Sequence, residues 1–237
     1  ARGLRVIPAF ASGLDARPAV KRFFMSEGES IVDAVISLTG FSLVGGPAYN
    51  DTDAAQEILA QLNVPYLAVQ ALEFQRINQW RESPMGLMPV EATIMVAIPE
   101  LDGATGPMVF SGRDREDPKR SFDMSPETER IDRLASRVSK LVALRRKQRS
   151  ERKIAITLFN FPPNSGAMGT AAHLSVFESL YNSLKALRRA GYDVELPESI
   201  EALRDSLLKG NAELYGAEAN VHATISVDDH VAREPYL

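Results

Sequence analysis

Met95–Asp114 reads MVAIPELDGATGPMVFSGRD, and the assignment of this stretch decides the fold. The apolar run Met95–Ile98 stops at Pro99, and Glu100 and Asp102 follow into a Gly-rich turn before a second apolar run, Met108–Phe110. Read as strand, turn and strand, it delivers two carboxylates to a strand exit, where α/β sheets usually bind ligands. The plainer alternative is that Asp102-Gly103 makes a turn and Glu100 caps a neighbouring backbone.

Working outward, Glu91–Ile98 extends the first strand, and Val64–Val69 reads as a buried strand before it. Asp51-Thr52-Asp53 marks a helix start, followed by Ala54, Ile58, Leu59 and Leu62 at helical spacing. Further upstream come a strand at Leu4–Phe10, a helix at Arg17–Met25 and a strand at Ile31–Leu38, a βαβ opening that implies a parallel sheet. The Trp80 region reads as a short helix and loop. Downstream, Ser125-Pro126 reads as an N-cap and first-turn proline, opening a helix Pro126–Arg149 with Ile131, Leu134, Val138, Leu141 and Val142 on one face. Beyond it, Ile154–Phe161 reads as a strand, 162–169 as a Pro/Gly loop, Thr170–Ala190 as a helix with Gly191 at its C′ position, Tyr192–Leu196 as a strand and Ser199–Leu208 as a helix. The predicted fold class is α/β: two Rossmann-like lobes with mainly parallel sheets, residues 1–120 and 151–237, joined by a long helix within 121–150.

The composition sets limits. With 31 acidic against 27 basic residues the net charge is −4, which gives no global drive toward nucleic acid. The absence of cysteine excludes disulfides, thiolate metal sites and a cysteine nucleophile, and fits a reducing, cytoplasmic setting. No apolar run approaches the roughly 20 residues that span a bilayer, so no transmembrane segment is expected. His173, His222 and His230 lack zinc-ligand spacing, and no metal ligand set is predicted; no GxSxG element supports hydrolase chemistry.

Several loops are candidate binding elements. Gly45-Gly46-Pro47 follows the Ile31–Leu38 strand, and Glu73-Phe74-Gln75 follows the Val64 strand; on parallel strands these loops would share one rim. Phe41, Phe74 and Trp80 could line a flat pocket, or serve as core and lid packing. Arg113 and Asp114 form either an anion clamp or an intra-loop ion pair. The loop 162–170, with Asn164, Gly169 and Thr170, leads into a helix N-terminus that attracts anions, but it is neither a Walker A motif nor a full GxGxxG. The cations Lys140, Arg145, Arg146, Lys147, Arg149, Arg152 and Lys153 either complement a helix dipole or form a docking patch for an acidic partner.

The PELDG-containing stretch, together with VISLTGF at 35–41, Gly45-Gly46-Pro47 and IAITLFNFPPNSGAMG at 154–169, resembles the porphyrin-binding large subunits of magnesium chelatases, with the related cobalt chelatases as the alternative. The large subunit is several times longer than this chain, so the resemblance implies a fragment, inactive by itself. It implies ATP-dependent insertion of Mg²⁺, the metal substrate, into protoporphyrin IX in chlorophyll or bacteriochlorophyll biosynthesis. ATP would be used by a separate AAA+ motor subunit and not bound here; the remaining partners would be the other chelatase subunits and the rest of the large subunit. Glu100 and Asp102 would act as the catalytic carboxylates, easing Mg²⁺ dehydration or accepting a pyrrole proton. Phe41, Gly45, Gly46, Phe74, Gln75, Arg113, Asn164, Gly169 and Thr170 would contact the substrate. A non-catalytic docking or scaffold module of the same large subunit stays open, as does a nucleotide-binding module, for which no saturable ATP binding is expected.

Overall fold

Asp51 opens the first well-marked helix. Its Oδ1 accepts from Ala54 N at 3.1 Å, so the helix Thr52–Leu62 begins with one otherwise unpaired N–H satisfied. Ala55, Ile58 and Leu62 turn inward and are buried, and Asn63 ends the helix in the left-handed conformation with φ 49°. Asp51→Ala is expected to cost about 1 kcal/mol, read as a lower urea midpoint at unchanged m-value.

The computed structural model describes residues 3–46, 48–113, 124–159, 169, 174–208 and 224–233. The chain divides into two compact units, 1–146 and 147–237. In the first unit the order is α1 (Arg17–Phe24), β1 (Met25–Ser26), β2 (Glu29–Ser30), β3 (Val35–Ser37), β4 (Gly45–Gly46), β5 (Tyr49–Asn50), α2 (Thr52–Leu62), β6 (Tyr66–Arg76) and α3 (Ile77–Glu82). There follow α4 (Pro89–Glu91), a π-helix (Ala92–Ala97), α5 (Ile98–Asp102), β7 (Met108–Arg113), β8 (Met124–Pro126) and α6 (Thr128–Arg146).

The main sheet has the order β3-β6-β7-β8. β3, β6 and β7 are parallel, and β8 adds an antiparallel edge. This is the mixed α/β, mainly parallel layout predicted. β6 is the spine: Tyr66–Gln70 are all buried, as a parallel strand covered on both faces requires. Ile58, Leu62, Tyr66, Val35, Leu43 and Val44 form the main core. Leu72, Ile77 and Val109 form a second cluster, with Trp80 and Leu87 packed against it.

Four local expectations are corrected. Glu91–Ile98 is not a strand: the whole stretch 89–102 is helical, burying Glu91, Met95, Pro99 and Asp102 at helical spacing. β-Branched and apolar content imitated a strand; Pro99, inside the continuous helical stretch, supplies no N–H to the preceding turn, and the Met95 carbonyl four residues back accepts from Gln70 Nε2 at 2.9 Å. Ser125-Pro126 does not start the long helix but ends edge strand β8, one of the sheet positions open to proline; α6 begins at Thr128. The N-terminal run Leu4–Phe10 carries no strand, and β3 is confined to Val35–Ser37.

The fourth concerns the second unit. It contains a 3₁₀ turn (Arg149–Glu151), α7 (Val176–Arg189), α8 (Ile200–Leu208) and α9 (Val227–Arg233). Among its described residues there is no strand, so neither 154–159 nor Tyr192–Leu196 joins a sheet. Ser199 caps α8, its Oγ accepting from Ala202 N at 3.0 Å. Gly191 closes α7 as expected, with Tyr192 N donating to Leu187 O at 3.1 Å.

Candidate functional site

PELDG forms the end of a helix. Pro99 enters α5, and Gly103 leaves it at φ +109° with its N–H on the Glu100 carbonyl at 3.0 Å. Glu100 and Asp102, two positions apart, therefore face different ways. Glu100 is exposed. Asp102 is 1% exposed, and its Oδ2 accepts from Ser42 Oγ and from Leu43 N, both at 2.8 Å. Its Oδ1 is buried without a partner among the described residues. Burial pushes this carboxyl above its ordinary range, against the pull of the Leu43 and Ser42 hydrogen bonds.

Asp102 thereby ties α5 to the loop that leaves β3. That loop is further held by Ser42 Oγ, which accepts from Val44 N at 3.2 Å. Gly40 lies against the Met95 side chain. Beneath them is Tyr66, whose phenol burial pushes up to about 12, with Ser37 pulling it down and Asp102 adding to the rise. The arrangement fixes the backbone beside exposed Glu100.

A second node lies at the other end of the helical stretch. Glu91 is 0% exposed and accepts from Gln75 Nε2 and from Met88 N, the latter at 3.0 Å. Gln75 also reaches Gly86 O at 3.2 Å. Gln70, equally buried, donates to Ala68 O and to Met95 O, both at 2.9 Å. The π-helix is thus pinned to β6 through a backbone carbonyl.

Within the first unit the predicted binding residues do not gather on one rim. β3 stops beside Ala68, whereas β6 runs on to Arg76 and takes β7 as its partner. At about 3.3 Å per residue, Phe74 and Gln75 lie on the order of 20 Å further along β6 than the end of β3. Phe41 is half-buried; Phe74 is 54% exposed. Gly45 and Gly46 are buried in the β4–β5 hairpin, where Gly45 N donates to Leu14 O at 2.6 Å. Arg113 ends β7 beside Arg76. Gly169 N donates to Phe159 O at 2.7 Å. Asp114, Asn164, Thr170, His173 and His222 lie outside the described residues.

The basic end of α6 is engaged by its own chain. Arg145 Nη1 donates to Asn63 O at 2.6 Å, and Arg146 pairs with Asp33 at 2.5 Å. In the second unit Arg149 reaches Ala190 O at 2.9 Å.

A feature that the sequence reading missed lies on the earlier part of α6. Arg130, Arg133, Arg137 and Lys140 recur at i, i+3, i+7 and i+10, a single helical stripe. They form one wall of a groove of about 1010 Å³. Pro107, Met108 and Val109 form part of its floor, and Leu87, Ala92 and Val96 stand opposite. Arg130 stacks 5.2 Å from the Trp80 ring, another part of the lining. The spacing of the cations was visible; the apolar wall facing them required the helix at 89–102. Among the described residues no group of three or more His, Cys, Asp or Glu could hold a metal, and no helix is long and apolar enough to cross a membrane.

The family model described as CobN/Magnesium Chelatase matches residues 1–237, the whole chain. The chain belongs to the CobN/magnesium chelatase family. Within that family it is 48% identical to the H-type subunit of the magnesium chelatase of Cereibacter sphaeroides, over all of this chain and 21% of the relative. It is 40% identical to the chloroplastic magnesium-chelatase subunit ChlH of Oryza sativa subsp. indica, over all of this chain and 17% of that protein. It is 29% identical to the aerobic cobaltochelatase subunit CobN of a Sinorhizobium species, over 97% of this chain and 18% of the relative. The chain thus spans about a fifth of the length of these chelatase-family relatives. In fold it resembles the catalytic subunit of cobaltochelatase from Mycobacterium tuberculosis, with a TM-score of 0.63 at 24% identity, over 84% of this chain and 17% of that one.

Proposed function

We propose that this chain serves as a segment of the porphyrin-handling large subunit of a magnesium chelatase, which inserts the substrate ion Mg²⁺ into protoporphyrin IX on the route to chlorophyll or bacteriochlorophyll. The observation that carries this reading is 48% identity, over the whole chain, to the bacterial magnesium-chelatase relative. The 29% identity to a cobaltochelatase subunit favours magnesium over cobalt. The partners in this reading are the rest of the large subunit and the other chelatase subunits, with ATP hydrolysed by a separate AAA+ motor; the setting is cytoplasmic, and the segment alone is inactive.

The chemistry asks for an oxygen ligand that eases dehydration of a tightly hydrated cation, or for a base that takes a pyrrole proton. Exposed Glu100 is open to either role, while Asp102 holds its neighbouring backbone. In a full-length subunit reconstituted with its motor subunits, Glu100→Gln is expected to slow Mg²⁺ insertion by about 100-fold, within the range for loss of one acid–base group. Porphyrin affinity should stay within about twofold. Magnesium porphyrin formed at the wild-type rate would remove Glu100 from the reaction, and failure of the wild-type protein to support insertion of Mg²⁺ would refute the assignment.

A further inference from the structure

We infer that the groove between α6 and the helical stretch 89–102 holds an apolar ring ligand by its carboxylate edge, and that its occupant is a tetrapyrrole dicarboxylate. This rests on the chelatase reading above and adds a binding site to it.

Charge comes first. The chain carries a net charge of −4, yet the groove is lined by four cations and, among the described residues, by no carboxylate. Glu129, which pairs with both Arg130 and Arg133, lies outside the lining and can neutralise only one of them. Arg137 uses one N–H, from Nη1, on the Gly106 carbonyl at 2.9 Å, which leaves its charge uncompensated and its other donors available. Such a concentration of like charge is a cost to folding, and an anion bound there would offset it.

Shape and polarity narrow the anion. The cations occupy one wall, and the floor and opposite wall are mainly apolar. Gln70, the polar side chain in the floor, already donates to two backbone carbonyls. An acidic peptide laid in the groove would bring backbone N–H and C=O groups against a surface with almost nothing to pair them, a costly burial. A rigid apolar ring carries no such groups. The volume, about 1010 Å³, is at the upper end of the roughly 300–1,000 Å³ typical of small-molecule sites. Successive cations rise about 4.5–6 Å along α6, from the 1.5 Å helical rise. Two carboxylates on neighbouring arms of one ring can therefore each meet a cation while the ring lies on Met108 and Val109.

The test is a titration of the full-length large subunit with deuteroporphyrin IX, followed by porphyrin absorbance. The double variant Arg133→Gln/Lys140→Gln is expected to bind about tenfold or more weakly, the scale of losing charge-assisted hydrogen bonds. Arg188→Gln, a charge removed from α7 in the other unit, should bind as the wild type does. Deuteroporphyrin dimethyl ester should bind the wild-type protein with a similar loss, a measurement that does not depend on any variant folding. Ester and acid bound equally well, or an unaffected double variant with an unchanged melting curve, would overturn the groove while leaving the chelatase reading intact. Displacement of deuteroporphyrin by a polyglutamate peptide at comparable concentration would overturn it in favour of a protein partner. No saturable porphyrin binding by the wild type would overturn both readings.

Discussion

Replacing Asp102 by alanine is expected to cost the first unit about 2–4 kcal/mol, because the Ser42 hydroxyl and Leu43 N–H would be left buried without their acceptor. The loss should appear in urea unfolding as a lower midpoint. Asp102→Asn keeps one acceptor oxygen and should cost less. It also removes a titration. Burial holds the Asp102 carboxyl above its ordinary 3.8, so folding favours the protonated form. The associated stability is complete below 3.8 and is lost as pH rises through the raised folded value. The unfolding free energy of wild type minus that of Asp102→Asn should therefore fall as pH climbs from 3.8, then level off. A difference that rises over the same interval would contradict the assigned environment.

Gly45→Ala is expected to be at least as damaging, at about 3–5 kcal/mol. The backbone there has φ +121°, and an added Cβ would lie 2.6 Å from Asn50 Cα, a backbone atom with little freedom to withdraw. Gly103→Ala is the fitting comparison: φ is similar, +109°, but nothing lies within 4 Å of the added carbon. That variant should lose only about 1–2 kcal/mol, the cost of the backbone conformation alone. Equal losses at the two positions would mean that the hairpin β4–β5 yields and that steric contact is unimportant. Gly45 is thus accounted for by the close pairing of its own hairpin, without a ligand.

What could be read from the residues depended on how far apart the interacting groups are in the chain. α2 was legible because its cap and its inward stripe both lie within the short run Asp51–Leu62. The parallel sheet was legible from apolar strands alternating with helical patterns. The helix at 89–102 was not, since β-branched content and Pro99 argued for a strand and a π-helix does not repeat at 3.6 residues. The burial of Asp102 was hidden for a different reason: its two partners are 60 and 59 residues away. Exposed Glu100 and buried Asp102 look alike in PELDG, and only the winding of α5 separates them. The stagger of β3 against β6 likewise belongs to strand register, which apolar runs alone do not specify.

The π-helix Ala92–Ala97 also makes the segment sensitive to length. Each residue removed from a helix turns everything beyond it by about 100°, one step of a 3.6-residue turn. Deleting a single residue between Glu91 and Pro99 would relax the wide turn to ordinary winding, yet it would swing Asp102 off the loop it holds and bring a neighbour into its place. A substitution at the same positions leaves the phase untouched. In this region, gaps should be far less tolerable than exchanges, and the number of residues between the two buried carboxylates, Glu91 and Asp102, matters more than the identity of the exposed ones.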